Sequence, residues 1–203
     1  MRTPSQSVLL GVAAAFALVA GLLAAQWWTR PAVTALASGT LLDTPRPLPP
    51  FQLVDEQGQP FGPEQLRGQW SVIFVGFTQC PDICPATLGL LAQALRALEA
   101  QRPQVLLLSV DPERDSPERL RGYVRHFDPA FRAATGSIAE LEQLGQALGF
   151  VFAKVAQGES YTLDHSGALM LINPAGQLAG YITPPFSVSA LAADFRLLPE
   201  HAG

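Results

Sequence analysis

Two cysteines, Cys80 and Cys84, are the only thiols in the 203-residue chain, and three residues separate them. Each is followed by a proline, and the pair stands between a continuous apolar run and a segment with leucine periodicity. This order predicts a buried strand, a loop that carries both thiols, and then a helix. Residues four positions apart in a compact turn have Cα atoms about 6 Å apart, which suits either a disulfide or two ligands to one metal ion.

The proline after the second cysteine favours a loop with reactive sulfur. Pro85 fits the first position of the following helix, with Cys84 as its N-cap. A sulfur at a helix N-terminus lies near free backbone N–H groups, so we expect its thiol pKa to be lowered. A purely structural disulfide is the alternative, but closing so short a loop stabilises a fold by only about 2 kcal/mol.

A third ligand would decide between thiol chemistry and metal binding. Two thiolates form a soft site that suits Cu(I) or Zn(II), and a histidine would complete a three-coordinate Cu(I) centre. Among the three histidines, His201 lies in the C-terminal tail and His126 near a predicted helix end. His165 stands just before a predicted core strand, in the loop that faces the cysteine loop in a thioredoxin-like fold. The residues alone leave a structural role for His165 open, as for many loop histidines.

The elements around the cysteines indicate an α/β domain with a thioredoxin-like fold, in which helices flank a central mixed sheet. Strands are predicted over residues 71–77 and 104–110, and the helix between them makes a right-handed βαβ unit with parallel strands. A third strand is predicted over residues 150–156. A hairpin with its turn at residues 173–176 and a closing helix over residues 187–198 complete the domain.

An apolar segment ahead of this domain predicts a transmembrane anchor over residues 8–28, after a short cytoplasmic N-terminus of residues 1–7. A cleaved secretory signal is the alternative, because the Ala-Leu-Ala run at residues 35–37 resembles a cleavage site. Residues 29–48 contain several prolines and predict a semi-rigid linker. The folded domain is expected to span residues 49–199.

The distribution of charged residues predicts the cellular location of the domain and excludes one class of partner. The free amine and Arg2 precede the apolar segment, which favours a cytoplasmic N-terminus. We therefore expect a single-pass protein of the inner or plasma membrane, with its domain on the periplasmic or extracytoplasmic side. The net charge is −4 and the basic residues are scattered, so no nucleic-acid partner is expected.

Three sequence blocks together resemble the Sco/SenC family of membrane-anchored, thioredoxin-like copper proteins. They are GFTQCPDICP at residues 76–85, SVDPERDSP at residues 109–117 and DHS at residues 164–166, within an exported domain that the resemblance covers from about residue 49 to residue 198. Met170 stands where the family commonly has an aromatic residue, and Asn173 where it commonly has an aspartate. Neither departure touches a potential ligand.

The resemblance implies that Cys80, Cys84 and His165 bind one copper ion per chain, as Cu(I) or Cu(II). Asp82 and Asp164 adjoin these residues. We expect the two carboxylates either to orient the ligands by hydrogen bonding or to serve turn and capping geometry alone. The charged loop that follows the second strand lies at the same sheet edge as the cysteines, and we expect a solvated turn there, with partner docking as the alternative.

The resemblance also implies a role in maturing the copper centre of cytochrome c oxidase. The expected function is that of a copper metallochaperone, a metal-binding assembly factor rather than an enzyme. Expected partners are the copper-bearing subunit of the oxidase, other copper chaperones or thiol reductants, and the membrane through the N-terminal helix. The alternative is a thiol–disulfide oxidoreductase that reduces the cysteines of the oxidase copper site. A peroxiredoxin-like peroxidase is disfavoured, because Thr78 stands two residues before Cys80 instead of three.

Overall fold

The structure, a computed structural model, describes residues 11–21, 36–98 and 102–198 of the chain. The chain divides into two units, Met1–Thr34 and Ala35–Gly203. The functional residues considered above all belong to the second unit.

The predicted anchor at residues 8–28 is described over residues 11–21 alone, and these residues are helical. The rest of the anchor and the predicted cytoplasmic residues 1–7 lie outside the described residues. In the parts of the chain that the structure describes, no helix combines the length and the hydropathy needed to cross a bilayer.

The described residues of the second unit contain ten strands, four α-helices and a short 3-10 helix at Pro63–Leu66. The strands are β1 (Gly39–Pro47), β2 (Leu53–Asp55), β3 (Pro60–Phe61), β4 (Ser71–Gly76), β5 (Gln104–Ser109), β6 (Arg132–Thr135), β7 (Phe152–Gln157), β8 (Ser160–His165), β9 (Leu169–Ile172) and β10 (Gln177–Ile182). The helices are α1 (Ile83–Arg96), α2 (Pro117–Phe127), α3 (Ile138–Leu148) and α4 (Val188–Leu197).

Eight of these strands form a mixed sheet in the order β1-β10-β9-β4-β5-β6-β2-β3. The strands β4, β5 and β6 are parallel to one another, and the other neighbours pair antiparallel. The predicted βαβ unit is confirmed as β4, α1 and β5. Strands β7 and β8 form a separate two-stranded hairpin, which ends at His165.

The core lies around the centre of the sheet. All six residues of β4 and five of the six residues of β5 are buried, as their continuous apolar sequences predict for strands covered on both faces. Helix α1 adds the predicted stripe of Leu88, Leu91 and Leu95, and each of these side chains is at most 4% exposed. Since burial of one leucine contributes about 1.5–3 kcal/mol, this stripe anchors the helix that follows the cysteines.

The linker prediction for residues 29–48 is wrong from residue 39 onward, where the chain forms the edge strand β1. An edge strand pairs on one side, so it tolerates prolines whose missing N–H groups would break a central strand. The pairing with β10 is interrupted between Leu41 and Arg46, a stretch that includes Pro45. Tertiary pairing thus overrides the linker-like composition.

The strand predicted over residues 150–156 is confirmed as β7 (Phe152–Gln157), but the third strand of the parallel group, β6, was not predicted. Residues 132–135 form β6 beside β5, whereas the predicted strand at residues 150–156 is part of the β7–β8 hairpin. The sequence of β6, Arg-Ala-Ala-Thr, is short and has no continuous apolar run. Its strand conformation therefore depends on pairing with neighbours, which local pattern does not reveal.

Candidate metal centre

The cysteine loop runs from the end of β4 to the start of α1. Gly76 closes β4, and a Cβ atom at this position would lie 3.0 Å from the Sγ of Cys84 and 3.2 Å from side-chain atoms of Phe74 and Leu107. The space that glycine leaves open is therefore occupied in part by the sulfur. Sequence reasoning missed this role of Gly76, although a glycine at the end of an apolar strand, eight residues before a cysteine, was visible.

The helix begins two residues earlier than predicted. Asp82 is the N-cap of α1, so Cys84 is its second residue and Pro85 its third. The prediction that Cys84 caps the helix is wrong, because first-turn N–H groups have no intrahelical partner and a proline there costs no hydrogen bond. The freed N–H of Cys84 points to the Sγ of Cys80 at 3.4 Å. The sulfur held at the helix N-terminus is therefore that of Cys80.

Burial controls the protonation of the second cysteine. Cys84 is fully buried. Its pKa is raised well above the ordinary thiol value, first by this burial and then by the hydrogen bond to Cys80. For Cys84, loss of solvation therefore outweighs any lowering of the pKa by the helix terminus. The raised pKa favours the neutral thiol when no metal is bound, and metal binding requires release of that proton.

His165 completes the group from the far end of the β7–β8 hairpin. Its Nε2 lies 3.5 Å from the Sγ of Cys84, and its Nδ1 lies 3.0 Å from the carbonyl oxygen of Ser166. A carbonyl oxygen only accepts, so Nδ1–H donates to it and Nε2 directs its lone pair toward the sulfurs. The rings of Phe74 and Phe77 meet the imidazole edge to face, with centroids 6.1 Å away in each case.

Three potential ligand atoms therefore converge from the cysteine loop, the first turn of α1 and the end of β8. The sulfurs of Cys80 and Cys84 and one ring nitrogen of His165 all lie within 4.8 Å of one another. Two soft sulfurs and one imidazole nitrogen match the donor set of a Cu(I) centre, and Zn²⁺ uses the same atoms. Cys84 is buried, while Cys80 and His165 are partly exposed, so one side of the group faces solvent.

An open cleft borders this exposed side. Cys80 and His165 line it together with Asp82, Ile83 and Asp164, and the side chain of Ile83 is 61% exposed. Among the described residues, the hydrogen-bond partner of the imidazole Nδ1 is Ser166 and not the adjacent Asp164. The side chains of Asp82 and Asp164 are both exposed and place negative charge at the mouth of the cleft.

The sequence predicts no ligand role for the other two histidines, His126 and His201. Of these, the structure describes only His126. His126 is an exposed residue near the end of α2, with its ring 5.3 Å from that of Phe127. His201 lies outside the described residues.

Asp115, in the loop between β5 and α2, holds the cysteine loop in place. Its side chain is buried and accepts three hydrogen bonds, from the backbone N–H of Thr78 at 2.9 Å, from Thr78 Oγ1 at 2.5 Å and from Ser109 Oγ at 2.6 Å. The expectation of a solvated turn is therefore wrong for this residue. The sequence signal was the aspartate-rich block directly after a buried strand.

Comparison with known proteins identifies the family. The family model SCO1/SenC matches residues 41–198. The chain belongs to the SCO1/SenC family. A protein from Stutzerimonas stutzeri that is described as copper-binding is 38% identical over 175 residues, which cover 84% of this chain and 84% of that protein.

Solved structures of Sco proteins share the fold. The apo Sco1 protein of Thermus thermophilus is 32% identical, with a TM-score of 0.72, over 82% of this chain and 99% of that chain. The structure of Bradyrhizobium japonicum ScoI with copper bound is 31% identical, with a TM-score of 0.68, over 75% of this chain and 99% of that chain. The predicted α/β fold of this SCO1/SenC protein, a central mixed sheet flanked by helices, is thus confirmed.

Proposed function

We propose that this SCO1/SenC protein is a copper metallochaperone that binds one copper ion per chain through Cys80, Cys84 and His165. The observation that carries the proposal is the convergence of two sulfurs and one imidazole nitrogen within 4.8 Å of one another. Zinc would accept the same ligands. Copper is favoured over zinc because B. japonicum ScoI, 31% identical and of the same fold, has been solved with copper bound.

The site is arranged for transfer by ligand exchange. A three-coordinate Cu(I) ion leaves a side open toward the cleft, where an incoming thiolate of the acceptor attacks. Cys80 is the ligand on the exposed side and is displaced first, and the buried Cys84 follows. The raised pKa of the Cys84 thiol means that a proton returns to it as copper leaves, so reprotonation favours release.

We propose the copper-bearing subunit of cytochrome c oxidase as the acceptor of the ion. Membership of the Sco/SenC family implies a role in maturing the copper centre of this oxidase. The apolar segment at residues 8–28 would then anchor the domain on the periplasmic or extracytoplasmic side of the inner or plasma membrane. Because such compartments oxidise thiols, other copper chaperones or thiol reductants are needed as partners to load the cysteines and keep them reduced.

A second function, thiol–disulfide exchange with the cysteines of the oxidase copper site, is favoured by the unequal exposure of the two thiols. The half-exposed Cys80 would attack a target disulfide, and the buried Cys84 would then resolve the mixed disulfide. The target disulfide gains two electrons and two protons, and a Cys80–Cys84 disulfide forms in exchange.

Complementation in cells that lack the protein separates the two functions. Copper delivery requires all three ligands, so we expect His165→Ala and Cys84→Ser each to abolish recovery of oxidase activity and of copper content in the purified oxidase. His126→Ala is the matched control, because this histidine is exposed on α2, and it should restore both to the wild-type level. Full recovery by His165→Ala without recovery by Cys84→Ser would assign thiol exchange instead of delivery.

A further inference from the structure

We propose that Arg114 is a positioning residue of the copper site, which holds His165 at binding distance from the two cysteines. The inference rests on the proposed copper function and extends it to a residue that touches none of the three ligands by a hydrogen bond. Arg114 lies in the loop between β5 and α2, beside Asp115. It contacts both the strand that carries His165 and the segment that leads to Cys80.

The hairpin that carries His165 needs an external support. Strands β7 and β8 pair with each other and stay outside the eight-stranded sheet, and five of the six residues of β7 are exposed. An isolated two-stranded hairpin is at best marginally stable. The position of its last residue, His165, relative to the cysteines therefore depends on side-chain contacts with the rest of the domain.

Arg114 supplies such contacts on the histidine side. Its Nη1 donates a 3.0 Å hydrogen bond to the backbone carbonyl oxygen of Tyr161. Its guanidinium carbon also lies 3.7 Å from the centroid of the Tyr161 aromatic ring. Tyr161 belongs to β8, four residues before His165. The Tyr161 hydroxyl donates to Asp111 Oδ1 at 2.7 Å, and partial burial together with this carboxylate raises the pKa of the tyrosine to about 12. The hydroxyl thus stays protonated and keeps this bond at physiological pH.

The same guanidinium also lies near the segment that leads to Cys80. Its central carbon lies 5.9 Å from the ring centroid of Phe77, while its Nε pairs with Asp111 Oδ2 at 2.5 Å within its own loop. Phe77 starts the cysteine loop and also meets the His165 ring edge to face. Asp115, which follows Arg114 in the chain, accepts a hydrogen bond from Thr78 in the cysteine loop. Arg114 and Asp115 together therefore contact both the cysteine loop and the strand that carries His165.

The Arg114–Asp111 pair is largely buried, which favours a fixed position of the guanidinium over a solvated contact. The Arg114 and Asp111 side chains are 17% and 0% exposed, whereas the Lys154–Glu113 pair at the same hairpin is 44% and 57% exposed. Exposed pairs contribute about 0–1 kcal/mol. A planar guanidinium can pair with a carboxylate, bind a carbonyl and stack on a ring at once, which the point charge of lysine cannot.

The test is a double-mutant cycle on Cu(I) affinity, measured by competition with a chelator on the reduced full-length protein. Arg114→Met should weaken binding by about 10-fold, as typically seen when a group that orients a metal ligand is lost. In a His165→Ala background, the same substitution should cause no further loss, because the residue that Arg114 positions is gone. Arg67→Met is the matched control, since Arg67 forms an exposed i,i+3 pair with Glu64, and it should leave affinity unchanged.

Wild-type affinity in Arg114→Met would overturn the inference, and so would an equal loss in the presence and absence of His165, which indicates a general effect on the fold. If the methionine variant fails to fold, Arg114→Lys carries the same test, because it retains the charge facing Asp111 and loses the stacking and carbonyl contacts. The proposed function fails separately, if the wild-type protein binds no copper or if His165→Ala binds it as tightly as the wild type.

Discussion

Replacing Cys84 with serine is expected to abolish stoichiometric copper binding and to leave the fold intact. Serine is close to cysteine in size, so the packing beside Gly76 is retained, and the new hydroxyl faces Nε2 of His165, which can accept its hydrogen bond. Its hydroxyl is a hard donor that does not ionise near neutral pH, whereas Cu(I) selects soft thiolates. The loss should exceed the roughly 100-fold change that removal of an outer hydrogen-bond partner can cause.

A Cu(I) titration of the reduced protein against a competing chelator measures this loss directly. The thermal midpoint of the metal-free variant serves as the check on folding, and it should stay within a few degrees of the wild type, which corresponds to about 1 kcal/mol or less in a domain of this size. Retention of one tightly bound copper per chain by Cys84→Ser would contradict the assigned ligand set.

Replacing Asp115 with alanine is expected to destabilise the domain and to release the cysteine loop. The carboxylate accepts hydrogen bonds from the backbone and hydroxyl of Thr78 and from the hydroxyl of Ser109. Each buried donor that is left without an acceptor costs about 1–3 kcal/mol. Since a loop can rearrange and admit water, we expect a loss of about 3 kcal/mol in the free energy of unfolding, and a weaker copper affinity.

Denaturant unfolding of the reduced, metal-free protein tests the first part of this expectation. Asp43→Ala is the matched control, because Asp43 is exposed on the edge strand β1, and its midpoint should stay at the wild-type value. An unchanged midpoint for Asp115→Ala would show that the three hydrogen bonds do not support the loop.

Much of the fold could be predicted because the central elements have strong local patterns. The continuous apolar runs of β4 and β5 and the leucine stripe of α1 are each consistent with one conformation. Strands β1 and β6 could not be predicted in this way. The first has the composition of a linker and the second has four residues, so both depend on neighbours that are distant in sequence.

The site divides along the same line. Residue types and spacing were sufficient to predict the thiol pair, but the ligand role of His165 came from family resemblance, because the 3.5 Å approach to Cys84 depends on how a separate hairpin packs. The local rule for helix termini predicts a lowered pKa for a sulfur at the start of α1, whereas burial raises the pKa of Cys84. Asp115 and Arg114 resembled solvated charges in the sequence, since burial of a charge is set by tertiary partners.

X-ray absorption spectroscopy of the reduced protein loaded with one equivalent of Cu(I) measures the ligand shell of the copper ion directly. We expect two sulfurs and one nitrogen in the wild-type protein, and loss of the protein nitrogen in His165→Ala. A wild-type shell with no nitrogen, or one with more than two sulfurs from copper shared between chains, would contradict a three-ligand site made by Cys80, Cys84 and His165.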